Sequence, residues 1–193
     1  MVSLVARLST YELRTHYIFY SVAHTLLRGR DIAFTINASR EENRVLIPFM
    51  EYVRAMDYYA GEDIGVLLSH AVHGLAEEGL IDSFASGSPE VLAQLGFTNV
   101  PGAAVAFQTS ALGVELFLWA HGLSGTHIND FLNVPIASEI TSQMNLPSHA
   151  SVAGELPPIP DDVMAMAQEL QTMVAGALAE GVSLPPYPMR PPE

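Results

Sequence analysis

His70 and His73 stand one helical turn apart, in a stretch that also holds Asp63 and Glu77. Imidazoles at that spacing can share a transition-metal ion. A stable site needs three or four converging ligands, and the sequence brings no further one to this pair. Two partly exposed histidines beside carboxylates is therefore the preferred reading, and a metal-dependent enzyme using His70 and His73 stands as an alternative. His16, Tyr20 and His24 also repeat at helical spacing and predict a buried polar seam bonded to its neighbours. Ser124, His127 and Asp130 have the residue types of a hydrolytic triad but not its setting. A nucleophile elbow follows a strand as G-x-S-x-G, whereas Gly122-Leu123-Ser124-Gly125 follows a helix and reads as a C-cap before the next N-cap. The chain has no cysteine and all eight of its basic residues are arginines, which excludes thiol catalysis, cysteine-held metals and Schiff-base lysines. Neither G-x-G-x-x-G nor a P-loop is present. Glu41/Glu42, Glu77/Glu78 and Asp161/Asp162 are adjacent pairs that diverge on a helix and read as solvated or capping charge. No catalytic residue and no cofactor is expected.

Charge excludes a further class. Between Arg54 and Arg190 there is no cation, while fifteen aspartates and glutamates fall in that interval. Nucleic-acid affinity rests on cations that displace counterions from phosphate, so no nucleic-acid partner is expected. The net charge is -13, yet only 15% of residues are charged and 49% are hydrophobic. A chain this apolar predicts burial against a protein partner or a second copy of itself. Its most apolar stretch, Ala103 to Ala120, is interrupted by Gln108, Thr109, Ser110 and Glu115, so no transmembrane segment is expected. The N-terminus lacks the apolar run of a secretory signal, and a cytoplasmic location is the expectation.

The elements that must position these residues are mostly helical. Ser9-Thr10-Tyr11-Glu12 is a capping box opening a helix to about Arg28. Asp31–Asn37 and Arg44–Ile47 predict a β-hairpin. Pro48 suits the first turn of a helix through Tyr59. Gly61-Glu62-Asp63 opens another, which stops at Gly79. Leu80–Phe84 predicts a strand, Ser88-Pro89-Glu90 the cap of a short helix through Leu95, and Ala103–Phe107 a return strand. Thr109 is expected to cap an apolar helix over Ala111–Ala120. Beyond Gly122 the signal weakens, with one short helix near Ile128–Leu132 and a proline linker at Pro157–Pro160. Val163, Met166, Leu170, Met173 and Ala177 alternate three- and four-residue steps, and Val174 and Leu178 widen the stripe. That pattern predicts a C-terminal helix that pairs with a copy of itself or with a partner, docking onto its own domain being the alternative. The domain reading is residues 1–60 (helix, hairpin, helix), 61–122 (core segment), 123–160 (irregular linker), 161–183 (assembly helix) and 184–193 (proline-rich tail).

The core segment has a known order: a helix ending in Leu75-Ala-Glu-Glu-Gly-Leu-Ile81, a strand, a variable loop, and a return strand entering Gln108-Thr-Ser-Ala-Leu-Gly113 and a long apolar helix. This resembles winged-helix domains, and more loosely the C-terminal region of abortive-infection alpha-type bacterial proteins. The resemblance implies an α+β, mostly helical fold with a winged-helix-like core, and raises a phage-defence or regulatory effector as a second alternative. The helix that would read a groove, Asp63–Glu78, offers Ser69, His70, His73, Glu77 and Glu78 and no cation. The sequence therefore points to a non-enzymatic interaction or scaffold subunit whose winged-helix-like domain does not bind DNA.

Overall fold

The computed structural model describes residues 1–136 and 144–155. The described residues fall within one compact unit, Met1–Pro157, and residues 158–193 lie outside them. The fold is α+β. Among the described residues, seven α-helices accompany a four-stranded antiparallel sheet: α1 Val2–Val5, α2 Thr10–Leu26, α3 Asn37–Glu42, β1 Val45–Pro48, α4 Phe49–Met56, α5 Ile64–Glu77, β2 Ile81–Gly87, α6 Pro89–Gln94, β3 Ala104–Thr109, α7 Ala111–Ala120 and β4 Ser151–Val152. A 3-10 turn covers Ile128–Asp130.

Strand order is β2-β3-β1-β4, so the innermost strands are paired across long sequence separations. Val45 faces Phe107 and Val152, while Phe84 also faces Phe107. Alternation along the strands divides the side chains between two layers. Val45, Ile47, Val105 and Phe107 join the main core beneath the helices. Leu46, Ala85, Ala104 and Ala106 form a smaller cluster on the other face, closed by Leu92 of α6 and Phe97.

Helix α2 is the hub. Its capping box forms as expected, with Ser9 Oγ accepting from the Glu12 amide and Glu12 accepting from the Ser9 amide. Phe19 stacks on Phe107 with centroids 4.1 Å apart, and Tyr20 and His24 both abut Phe131. Two glycines let other helices reach α2. A Cβ on Gly113 would lie 2.0 Å from the Tyr20 hydroxyl, and one on Gly74 would lie 1.7 Å from a Glu12 oxygen. These are close-approach glycines, not turn glycines.

The expected β-hairpin at 31–47 does not form. Phe34 is fully buried and meets Phe131 edge-on at 5.2 Å, so burial inside the core overrides the strand propensity of Asp31–Asn37. The Ser39 hydroxyl accepts the Ala33 amide, Arg40 donates to the Phe34 carbonyl, and Asn37–Glu42 coils into α3. Only the second half of the supposed hairpin is a strand, β1, and its partners are β3 and β4. Two boundaries also shift. Helix α4 ends at Met56 because Asp57 turns left-handed at φ 53, and α7 is capped by Ser110, with Thr109 ending β3. The described residues of the segment expected as a linker, 123–136 and 144–155, are mostly irregular, yet they carry Phe131, Leu132, Ala150 and Val152 into the core.

Candidate functional site

Helix α5 presents an outward face of Val66, Ser69, His70, His73 and Glu77. Asp63 starts the helix by accepting the Val66 amide, and Leu68, Ala71, Val72 and Leu75 bury the opposite face, which forces the others outward. Val66 is 62% exposed. His73 lies edge-on to Phe84 of β2 with centroids 4.8 Å apart. Between them runs a groove of about 420 Å³ walled by Phe49, Leu68, Val72, His73 and Phe84, with Ser69, Ser86 and Ser88 at its sides and no charged group. β2 is an edge strand, so one row of its backbone groups faces away from the sheet. The loop that leaves β2 folds back onto the sheet through α6 instead of projecting.

His70 and His73 share this exposed face as expected. Among the described residues no group of three or more histidines, aspartates and glutamates is arranged to hold a metal ion. Ser124, His127 and Asp130 are all exposed, and the His127 ring accepts the Asn129 amide, which is a local cap for the 3-10 turn. The interface stripe Val163, Met166, Leu170, Met173, Val174, Ala177 and Leu178 lies outside the described residues, as do the proline linker and the tail.

The polar seam on α2 is bonded as its spacing predicts. His16 donates to the Gly113 carbonyl at 3.0 Å and His24 to that of Val134 at 3.1 Å. The Tyr20 hydroxyl donates to the Leu80 carbonyl at 2.6 Å and accepts the Ser110 amide at 2.9 Å. Burial pushes His16 down to about 4 and lowers His24 as well, so both rings are neutral bracing groups at neutral pH.

Five of the arginines contact other groups of the fold. Arg7 pairs with Glu78, Arg30 holds Glu155 through two bonds of 2.8 and 2.7 Å, and Arg44 covers the Phe97 ring. Arg14 donates to the Ala55 carbonyl at the end of α4. Arg40 is 8% exposed and donates to Asp82 and to the carbonyls of Phe34 and Thr109. Asp82 reaches it from a bulge in β2, between the pairs Ile81–Thr109 and Ser83–Gln108.

One arrangement had no sequence signal. Glu51 of α4 and His149 are 98 residues apart, and His149 Nδ1 lies 2.5 Å from Glu51 Oε1. Glu51 Oε2 accepts the amides of Ser148 and His149 at 2.7 and 3.1 Å. Burial disfavours the Glu51 charge, but the bonds from His149 and Ser148 outweigh it and hold the carboxyl below its usual range. Ser148 Oγ lies 3.2 Å from the same Nδ1, so it is not placed as a nucleophile across the ring. Glu51 and His149 border an open cleft of about 760 Å³ that also holds Arg54, Asp57, Tyr58 and Glu62. Comparison with protein-family models, curated proteins and solved structures finds no match for this chain. No helix among the described residues is long and apolar enough to cross a membrane.

Proposed function

We propose that this chain is a non-enzymatic protein-interaction or scaffold subunit of a larger, cytoplasmic assembly, using a winged-helix-like domain that does not bind nucleic acid. The winged-helix reading is supported by the succession α5, β2, a variable loop, β3, α7, with β2 and β3 antiparallel neighbours. The observation that carries the functional reading is the outward face of α5. In a DNA-binding winged helix that face enters the groove between the phosphates. Here it carries an exposed valine, a serine, two histidines and a glutamate, beside an uncharged groove. A helix of that composition is repelled by a polyanion and suited to an apolar or hydroxyl-bearing protein surface. The folding-back of α6 leaves no projecting wing here, and the contacts of Arg7, Arg14, Arg30, Arg40 and Arg44 within the fold leave fewer cations for a duplex.

Light scattering on the full chain, paired with a labelled-duplex titration at low salt, tests the proposal. The expected mass is a multiple of 20.8 kDa, reduced by Val66→Glu on α5 or by ending the chain at Pro160, with no duplex binding. A single-chain mass together with salt-sensitive duplex binding overturns it.

A further inference from the structure

His149 stands in the walls of two cavities at once. One is the open polar cleft. The other is a smaller pocket of about 210 Å³ lined by Leu46, Pro48, Val100, Pro101 and Ala104, with Ser151 beside His149 as its other polar side chain. For comparison, an apolar cavity of roughly 150 Å³ suffices to hold benzene. Glu51 decides what His149 offers. A carboxylate can only accept, so the contact at 2.5 Å places the proton on Nδ1, and the neutral ring keeps an acceptor lone pair on Nε2. The Glu51 oxygens are occupied by three donors from residues 148 and 149, which locks this tautomer and the ring's position.

We propose that this pocket binds a small neutral ring compound bearing one hydroxyl, a phenol or cyclic alcohol, with the ring against Leu46, Val100 and Ala104 and the hydroxyl donating to His149 Nε2. The chemistry selects this class over its neighbours. A carboxylic acid would bring a second negative charge beside Glu51. A plain hydrocarbon would fill the apolar walls but leave the Nε2 acceptor to water. This inference uses no residue of the outward α5 face, so it stands or falls separately from the assembly reading.

The experiment is an NMR titration of the full chain with phenol, toluene and benzoate at pH 8, above the ordinary histidine range. Phenol is expected to shift resonances of Leu46, Val100 and Ala104 and to move the His149 Nε2 nitrogen signal upfield, as accepting a hydrogen bond does. Toluene should shift the first group without moving that nitrogen, and benzoate should do neither. In His149→Ala the affinity of phenol relative to toluene should drop about 3- to 10-fold, the value of one net hydrogen bond. No response of the pocket residues to phenol overturns the proposal. So does an Nε2 signal that phenol leaves unmoved, a result that needs no variant and does not depend on how His149→Ala folds.

Discussion

Arg40 shows how much of this fold hangs on single side chains. Its guanidinium sits inside the protein, bonded to Asp82 and to the carbonyls of Phe34 and Thr109, so it ties α3, β2 and β3 together. Removing one partner of such a pair strands the other, at a cost of about 3–5 kcal/mol when both are buried. Because Asp82 keeps some access to water, Arg40→Ala should lie near the lower end, a loss of about 3 kcal/mol in urea unfolding. Arg40→Met combined with Asp82→Leu should lose less than Arg40→Ala alone, since no charge is then left behind. His16 makes a second prediction, in pH. Its folded pKa of about 4 lies below the ordinary value near 6.5, so between those values the unfolded chain binds a proton that the folded chain refuses. Stability should therefore be full above about pH 6.5 and fall towards pH 4 by up to ~1.4 kcal/mol per unit from this group, with His24 adding in the same direction. The carboxyls of Glu51 and Glu155 are lowered by their partners, so their contribution is lost later, below the ordinary glutamate range. Thermal unfolding across pH 3.5–8 checks this, and His16→Gln should flatten the upper part of the curve. The seam itself was legible in the sequence because His16, Tyr20 and His24 are one turn apart on one helix. The Glu51–His149 contact was not, because nothing local to either residue registers a partner 98 positions away.

At the scale of elements, the helices were read best because their signals are local. The Ser9–Glu12 capping box, Asp63 at the head of α5 and the Gly79 stop are each decided by a few adjacent residues. The strands β2 and β3 were also read, since their bounding helices confined them. Residues 31–47 form no hairpin because Ile32 and Phe34, whose types favour a strand, are core residues of an irregular segment, where burial outweighs propensity. Strand pairing is a non-local matter, and β1 found β3 and β4 instead. The junction of α2 with α7 gives a prediction of its own. Gly113 leaves space for the Tyr20 hydroxyl and gives its carbonyl to His16, so Gly113→Ala must push the two helices apart. The gain in helix propensity, up to about 1 kcal/mol, is outweighed by an overpacking cost of ~1–3 kcal/mol and the broken Tyr20 bonds. A net loss of stability in chemical unfolding, and weaker near-UV dichroism from Tyr20, are the expected readouts. Gly29→Ala, where no atom lies near the added Cβ, should cost only the strain of its left-handed backbone.

For the whole molecule, composition carried the most information: a surplus of apolar residues, eight arginines with no lysine, and an acidic net charge. The sheet order adds a consequence in time. β1 is complete by Pro48, but its two neighbours are not made until Thr109 and Val152. A nascent chain still short of Ala104 has no sheet at all, and α2 emerges with Phe19 and Tyr20 long before the residues that cover them exist. Contacts of such wide sequence separation make folding slow and leave apolar surface open meanwhile. During synthesis the apolar residues of α2 and β1 therefore stay uncovered until β3 and β4 have been made, and a nascent chain halted before Ala104 should bind an apolar dye more strongly than the finished protein does.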